Sequence, residues 1–228
     1  MVDTEFVLND LPSVLPASIS SQNYAKMGRE PMKDRITEVV REEIMKRGLK
    51  FSLRDIAASL GMSTKTIYQF FESKEHMISH IIDQCIADMR EAEQEVMNDT
   101  SLNAAQKLRM ALVILPRGFV FKDVHVFHEL KQRYPQLWRE VDTYVNQGWD
   151  NIRILIHEGV AAGVLRPFHV ELFIQTYIGA LNQLMDIHVA NKIELSLDQV
   201  LVQMVEFLMQ GILNEGPEAK SGERSGTE

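Results

Sequence analysis

The sequence predicts an all-α protein of about nine helices, in which a small three-helix unit precedes a larger helical body. Three observations support this. Apolar residues recur at helical spacing along most of the chain, and beyond Asn98 no run alternates in the way a strand would. Residues 51–74 contain two short helical patterns separated by a glycine. A single apolar stripe then continues over residues 74–97, as one long helix requires.

Composition limits the classes of protein that fit. The chain has 228 residues, 45% of them hydrophobic, and a net charge of −8, which argues against a protein that coats nucleic acid indiscriminately. Residues 31–79 nevertheless carry nine Lys/Arg and seven Asp/Glu, a local charge of +2. The lone Cys85 excludes an internal disulfide framework and fits a reducing cytosol, and no apolar run approaches the roughly 18 residues that a membrane span needs. We therefore expect a cytoplasmic protein without a membrane partner.

The two ends of the chain differ from the rest in composition. Residues 1–30 do not form a convincing signal peptide, because the first basic residue is Lys26 and prolines interrupt the apolar positions. We predict a flexible arm there. Two interpretations of it stay open: Lys26 and Arg29 reach an adjacent minor groove, or the arm is a disordered tail. Residues 215–228 are also predicted to be disordered.

The first three helices follow from their apolar faces and caps. Residues 31–47 form the first helix, which buries Ile36, Val40 and Ile44 and stops at Gly48. The second helix follows a cap at Ser52 and places apolar side chains at i, i+3, i+4 and i+7. Gly61 ends this helix, because glycine adopts a positive φ without a steric penalty. The third begins after Ser63, and Ile67, Phe70 and Phe71 turn it back onto the second.

The third helix has one face suited to DNA. With Ile67 buried and about 100° of rotation per residue, Lys65 and Gln69 point outward. Thr66 and Tyr68 then lie on the flanks, and Thr64 lies in the first turn, where helix amides attract anions. Donors on an outer face suit the major groove. The alternative is a two-helix corner of some other all-α protein with a solvated polar face.

A set of residues in the three-helix unit forms a recognisable pattern: Ile36, Gly48, Asp55, Ile56, Ala57, Gly61, Met62, Ser63, Thr66, Ile67, Tyr68, Phe71, Ser73, Lys74, Glu75 and Met77. With these residues, the segment 34–82 resembles the DNA-binding domain of the TetR (tetracycline repressor) family of bacterial transcription regulators. The resemblance implies a three-helix DNA-binding head, an all-α effector-binding body and a homodimer. Phe70 and Lys65 depart from residues frequent in the family, so the operator sequence cannot be carried over.

The expected domains and DNA contacts follow. The head comprises residues 31–79 and the effector-binding and dimerisation domain residues 80–214. A lysine in the first turn of the fourth helix opposes the helix dipole, so either a nearby phosphate explains Lys74 or it is merely solvated. The predicted base contacts are Thr64, Lys65 and Gln69, and the predicted contacts to the DNA backbone are Ser52, Thr66, Tyr68 and Lys74.

The body pattern predicts helices over residues 101–115, 119–133, 135–162, 169–190 and 196–213. The last two are apolar nearly all round, so each needs two partners: its own body and a second subunit. We therefore predict a homodimer through residues 169–213 whose two heads bind a pseudo-palindromic operator in double-stranded DNA.

Aromatic and histidine side chains are concentrated in the body. A core built only for stability needs few of them, whereas an apolar pocket with a few polar groups is how small organic ligands are held. We predict an apolar or amphipathic effector, although most of these residues could simply be core. The predicted effector-binding residues are Phe121, His125, His128, Trp149, Arg153, Tyr177 and Leu181.

Catalytic and metal sites are not indicated. His128-Glu129 and His157-Glu158 begin like zinc-protease motifs, but Gln132 and Ala161 stand where the second histidine is needed. We expect no enzyme, no cofactor and no metal, and predict a ligand-responsive repressor released from its operator by the effector. The alternative is an all-α enzyme or binding module that contains a helix-turn-helix without regulatory DNA binding, which salt-dependent retention on DNA would distinguish.

Overall fold

The computed structural model describes residues 31–116, 124–193 and 195–214. Within these residues no β-strand occurs, and the only bridge joins Leu165 and Leu213. The all-α prediction is therefore confirmed. None of the described helices is long and apolar enough to cross a membrane. The predicted arm, the predicted tail and Phe121 lie outside the described residues.

The described residues form eleven α-helices and a short 3-10 turn, Gly48–Lys50, between the first two helices. The helices are α1 Pro31–Arg47, α2 Leu53–Leu60, α3 Thr64–Ile67, α4 Lys74–Asn98, α5 Ala104–Leu112, α6 Val124–Arg133, α7 Pro135–Asn146, α8 Asp150–Ala161, α9 Val170–Leu184, α10 Ile187–Ile193 and α11 Leu197–Gln210. The first three, with the start of α4, form the head, and the others form the body.

The prediction of about nine helices was short by two, because two predicted helices are each divided. The break between α7 and α8 contains Gly148 at φ 82°, a conformation that ends a helix. The break between α9 and α10 is fixed by Asp186, whose carboxylate accepts a hydrogen bond from His188 N at 2.8 Å. The fifth helix is also shorter than predicted, since Asn103 and Gln106 form a capping box that starts it at Ala104.

Two hydrophobic clusters organise the molecule. The first fills the head and extends along α4 to Phe127 of α6 and Leu137 of α7. The second joins α5, α8, α9 and α11 in the body, around Leu108, Leu155 and Val205. Because α4 lies against both the head and the body helices, it connects the two regions.

Candidate DNA-binding surface and internal cavity

The start and end of α2 are set by local hydrogen bonds. Ser52 Oγ accepts from Asp55 N at 3.3 Å, and Asp55 Oδ2 accepts from Ser52 N at 2.8 Å, which completes the predicted capping box. The side-chain hydrogen bond from Ser52 lowers the pKa of the Asp55 carboxyl. Gly61 ends α2 at φ 64°, and its N–H donates to Ala58 O at 3.1 Å. The predicted cap and turn are confirmed.

Helix α3 is short and firmly anchored. Ser63 Oγ accepts from Thr66 N at 3.1 Å, and Ile67 is fully buried beneath the helix. The helix ends at Ile67, and a tighter turn follows, in which Phe70 N donates to Ile67 O at 3.0 Å. This turn places Phe71 in the head core, as its spacing predicted, although the helix itself is shorter than the pattern indicates.

The outer side of α3 and of the turn after it is the surface predicted to face DNA. Lys65, Tyr68 and Gln69 are exposed, and Thr64 and Thr66 are half-buried at its edge. The hydroxyl of Thr66 lies 2.9 Å from Ser63 Oγ. The long side chains of this surface are exposed and do not pack into the head core. The DNA contacts predicted for these residues and for Ser52 remain predictions.

Lys74 has partners that the sequence did not suggest. Its Nζ donates to Leu49 O at 2.5 Å and to Phe51 O at 2.6 Å, and it lies 4.3 Å from the centre of the Phe51 ring. Burial, followed by the nearby Arg133 charge, lowers the pKa of the Lys74 ammonium. Neither a phosphate nor solvent is needed to explain this lysine, because backbone carbonyls of the head hold it. The phosphate contact predicted for Lys74 is not supported by this geometry.

A cavity of about 480 Å³ lies between α4 and the helices of the body. Its walls are mainly apolar and include Ile82, Ile86, Met89, Leu112, Val145 and Leu201. Most of the exposed polar residues of its lining belong to α7 or to the turn after it, and Arg90 belongs to α4, so the cavity opens between α4 and α7. Its volume lies within the roughly 300–1,000 Å³ typical of small-molecule sites.

Three of the residues predicted to bind an effector line this cavity: Trp149, Tyr177 and Leu181. The Trp149 and Tyr177 rings meet edge to face with their centres 5.2 Å apart. Tyr177 Oη donates to Leu112 O at 2.6 Å, and Trp149 Nε1 donates to Val145 O at 3.1 Å. Burial raises the pKa of the Tyr177 phenol. Because both polar atoms are already bonded within the protein, these rings present apolar faces and edges to the cavity.

His125, His128 and Arg153 lie outside the cavity lining, so their predicted role is not supported. Helix α6 presents Phe127 to the cavity, and a rotation of about 100° per residue directs the neighbouring histidines elsewhere. Arg153 follows Ile152, a lining residue, on α8 and points to the surface. There Arg153 Nε lies 2.7 Å from Glu171 Oε1, and its Nη1 lies 3.1 Å from Asp150 Oδ1.

The polar residues that line the cavity were not predicted from the sequence. Arg90 and Glu93 of α4 and Glu140 and Tyr144 of α7 line it. Burial raises the pKa of the Tyr144 phenol to about 12 and also raises the pKa of the Glu140 carboxyl. The Arg90 guanidinium lies 5.9 Å from the Tyr144 ring centre. Their spacing along α7 was the available signal, because Glu140 and Tyr144 are four residues apart and share one helix face.

A second surface of the body is apolar and exposed. Phe207 of α11 is 71% exposed and Leu172 of α9 is 66% exposed, although the opposite sides of both helices are buried in the body. A shallow groove beside Phe207 is lined by Leu184, Val200 and Leu195, among others. This is the surface that the predicted dimer would bury. It shares α9 and α11 with the cavity.

Comparison with known proteins identifies the family. Residues 36–81 match the model of the bacterial regulatory proteins of the tetR family. The chain is 30% identical over 169 residues to the uncharacterised HTH-type transcriptional regulator YvaF of Bacillus subtilis, covering 74% of this chain and 89% of YvaF.

Solved structures show the same fold. A TetR/AcrR-family regulator from Thermobifida fusca matches with a TM-score of 0.60 at 22% identity, over 80% of this chain and 98% of that one. FadR from Bacillus subtilis, in complex with stearoyl-CoA, matches with a TM-score of 0.52 at 19% identity, over 78% of this chain and 98% of that one. With its helix-turn-helix head, its helical body and its relation to YvaF, this chain belongs to the TetR family of bacterial transcription regulators.

Proposed function

We propose that this regulator is a repressor that leaves its operator when a small amphipathic molecule occupies the cavity. The observation that carries the proposal is the course of α4. Its first turns pack Met77 and Ile78 into the head core, and its next turns line the cavity with Ile82, Ile86 and Met89. A single helix of roughly 38 Å therefore contacts both the DNA-binding head and the space available to a ligand.

DNA recognition is assigned to α3, to the turn that follows it and to the cap of α2. Thr64, Lys65 and Gln69 contact base edges in the major groove, while Ser52, Thr66 and Tyr68 contact the DNA backbone. Lys74 acts indirectly, because its ammonium holds the carbonyls before α2. These roles suit the exposure of the long side chains on α3 and on the turn after it, and the anchoring of Ile67 beneath them. We assign the protein to the cytoplasm, in keeping with a role in transcription.

The domain division proposed here falls within α4. Residues 31–79 form the head, and residues 80–214 form the effector-binding and dimerisation domain. TetR-family regulators act as dimers, and we assign this dimer to residues 169–213, where Leu172 and Phe207 are exposed on neighbouring helices. Two heads related by a two-fold axis would address half-sites about 34–36 Å apart, or a longer spacing in phase with the helix.

The chemistry of the cavity defines the ligand class. Its apolar walls suit a long or bulky hydrocarbon part, which the stearoyl-CoA complex of FadR also supports. Among the described lining residues the carboxylates Glu93 and Glu140 outnumber the guanidinium of Arg90. An effector with a neutral or positively charged polar end therefore fits better than a strongly anionic one.

Operator binding is tested by selecting DNA fragments with the purified full-length protein and sequencing them. We expect a pseudo-palindromic site whose affinity falls steeply as salt is raised, because neutralised phosphates release counterions. If the protein retained all DNA fragments equally and selected no common motif, the proposal would be contradicted.

Ligand binding is tested by calorimetry with dodecanol, dodecanoate, dodecanoyl-CoA and dodecyltrimethylammonium, which share one chain and differ in the charge of the polar end. Dodecanol and dodecyltrimethylammonium should bind more tightly than dodecanoyl-CoA. Ala111→Trp fills the cavity and should abolish binding, whereas the matched control Ile154→Trp, at an exposed position of α8, should not. Binding that survives Ala111→Trp would place the ligand elsewhere.

A further inference from the structure

The turn between α1 and α2 sets the direction of the helix-turn-helix. It comprises Gly48–Lys50, followed by Phe51, and both Leu49 and Phe51 are buried in the head core. Gly48 has φ 63°, which favours glycine. Because α2 begins two residues after Phe51, any displacement of this turn displaces α2 and α3 with it.

A carboxylate from the body holds one side of this turn. Glu129 of α6 accepts a hydrogen bond from Leu49 N at 2.7 Å through Oε2. Its Oε1 lies 3.6 Å from Lys50 Nζ, and its side chain is only 19% exposed. A Cβ at Gly48 would lie 2.8 Å from Glu129 Oε2, so glycine is needed there for the close approach as well as for the φ angle.

Helix α4 holds the other side of the same turn. Lys74 Nζ donates to the carbonyls of Leu49 and Phe51, as described above. The N–H of Leu49 is therefore bound to α6 and its C=O to α4. The relative position of these two helices determines whether both hydrogen bonds can exist at once.

The same two helices line the cavity. Phe127, two residues before Glu129, contributes the α6 side, and Ile82 and Ile86 contribute the α4 side. An occupant larger than the space between these side chains would push α6 and α4 apart, and such a movement would act on the hydrogen bonds of Leu49 directly. A charge-assisted hydrogen bond to a mostly buried carboxylate is strong enough to transmit it.

We propose that Glu129 is a positioning residue that couples cavity occupancy to the orientation of the DNA-binding head through its hydrogen bond to Leu49 N. The inference rests on the proposed function of the cavity and the head. Glu129 contacts neither ligand nor DNA in this account. Its removal should therefore weaken the coupling between the two sites more than it changes binding at either one.

The test is a double-mutant cycle that uses Ala111→Trp as the occupant of the cavity and the selected operator duplex as the readout. In the wild-type background Ala111→Trp should lower operator affinity by about fivefold or more. In the Glu129→Ala background the same substitution should lower it less than about twofold, a factor well below that range of coupling. Ala111→Phe, a smaller addition, repeats the measurement if the tryptophan variant does not fold.

Three control variants separate the contacts. Gln132→Ala, at an exposed position of the same helix, should keep the full response. Lys50→Ala removes only the ion pair between the exposed Lys50 ammonium and Glu129, and should also keep the full response. Glu129→Gln should keep most of the response, because an amide oxygen can still accept from Leu49 N. A Lys50→Ala variant as uncoupled as Glu129→Ala would overturn the assignment to the Leu49 hydrogen bond.

The outcomes distinguish this inference from the proposed function. An equal loss of affinity in the wild-type and Glu129→Ala backgrounds overturns the role of Glu129 but leaves the cavity as the effector site. No loss in the wild-type background overturns both. Independently, Gly48→Ala should destabilise the wild-type protein more than the Glu129→Ala variant, because the carboxylate that meets the new methyl group is then absent. An equal destabilisation would show that this close contact does not persist in solution.

Discussion

The head and the body of this protein are built from helices of the same kind but are packed differently. In the head, Ile36, Ile56, Ile67 and Phe71 are at most 1% exposed and form a continuous core. The body leaves a cavity of about 480 Å³ beside side chains of equal hydrophobicity. Unfilled space costs dispersion contacts and stability. The body is therefore less densely packed at the place where a ligand can restore the lost contacts. The head, which must hold a fixed surface toward DNA, is close-packed.

The largest expected effect is a difference in the free energy of unfolding between a variant of the close-packed core and a variant of the cavity wall. Phe71→Ala should lower the free energy of unfolding by about 3–5 kcal/mol, because it opens a void in the close-packed head. Leu181→Ala should cost about 2 kcal/mol or less, since its side chain already borders empty space. Urea denaturation measures both. Equal losses would show that the cavity is closed in solution.

The second effect contrasts exposed apolar residues of the two regions. Phe207→Glu should weaken dimerisation by about 2–4 kcal/mol, as for a buried interface residue. Met45→Glu is the matched control, because Met45 is 57% exposed on α1 of the head and should not touch the partner. Sedimentation at micromolar concentration measures the dimer. A dimer unchanged by Phe207→Glu would remove α11 from the interface.

The third effect concerns the surface of the head. Lys65→Ala and Gln69→Ala should each cost about 1–3 kcal/mol for the selected operator and relax its sequence preference. Tyr68→Phe should weaken all sequences alike. Lys74→Ala should lower the stability of the head and leave the salt dependence of DNA binding unchanged, because its ammonium is bound to carbonyls. A shallower salt slope for Lys74→Ala would restore its role as a phosphate contact.

The smallest effect compares two turns. Gly61 and Gly148 both have positive φ, and a Cβ at either would meet no atom within 4 Å. Alanine should therefore cost only the backbone strain, about 1–2 kcal/mol at each site. Gly61→Ala should weaken operator binding and Gly148→Ala ligand binding, as fluorescence titrations with each partner would show. If Gly61→Ala weakened ligand binding and Gly148→Ala weakened operator binding, the assignment of DNA binding to the head and ligand binding to the body would be contradicted.

Interactions between residues close in the chain were predictable from the sequence. The caps at Ser52 and Ser63 and the turn at Gly61 depend on residues within a few positions, and periodicity identifies the buried face of α3. The family resemblance predicted the body and the dimer, and the comparisons confirm the family.

Long-range partners were not predictable in the same way. The carbonyls bound by Lys74 lie more than twenty residues away, and Glu129 reaches Leu49 across eighty. The effector residues were selected by residue type, which cannot show that Arg153 pairs with Glu171 or that Phe127, rather than His125 or His128, faces the cavity. Which side of a helix faces a space between helices is decided only by tertiary packing.

Control of the head by the cavity is tested most directly by a titration of operator DNA with wild-type protein, with and without saturating concentrations of the tightest-binding dodecyl compound. We expect an operator affinity 5- to 150-fold lower in the presence of the compound, a coupling of about 1–3 kcal/mol. By reciprocity, operator must weaken binding of the compound by the same factor. Equal operator affinities with the cavity filled and unfilled would contradict the claim that the cavity controls the head.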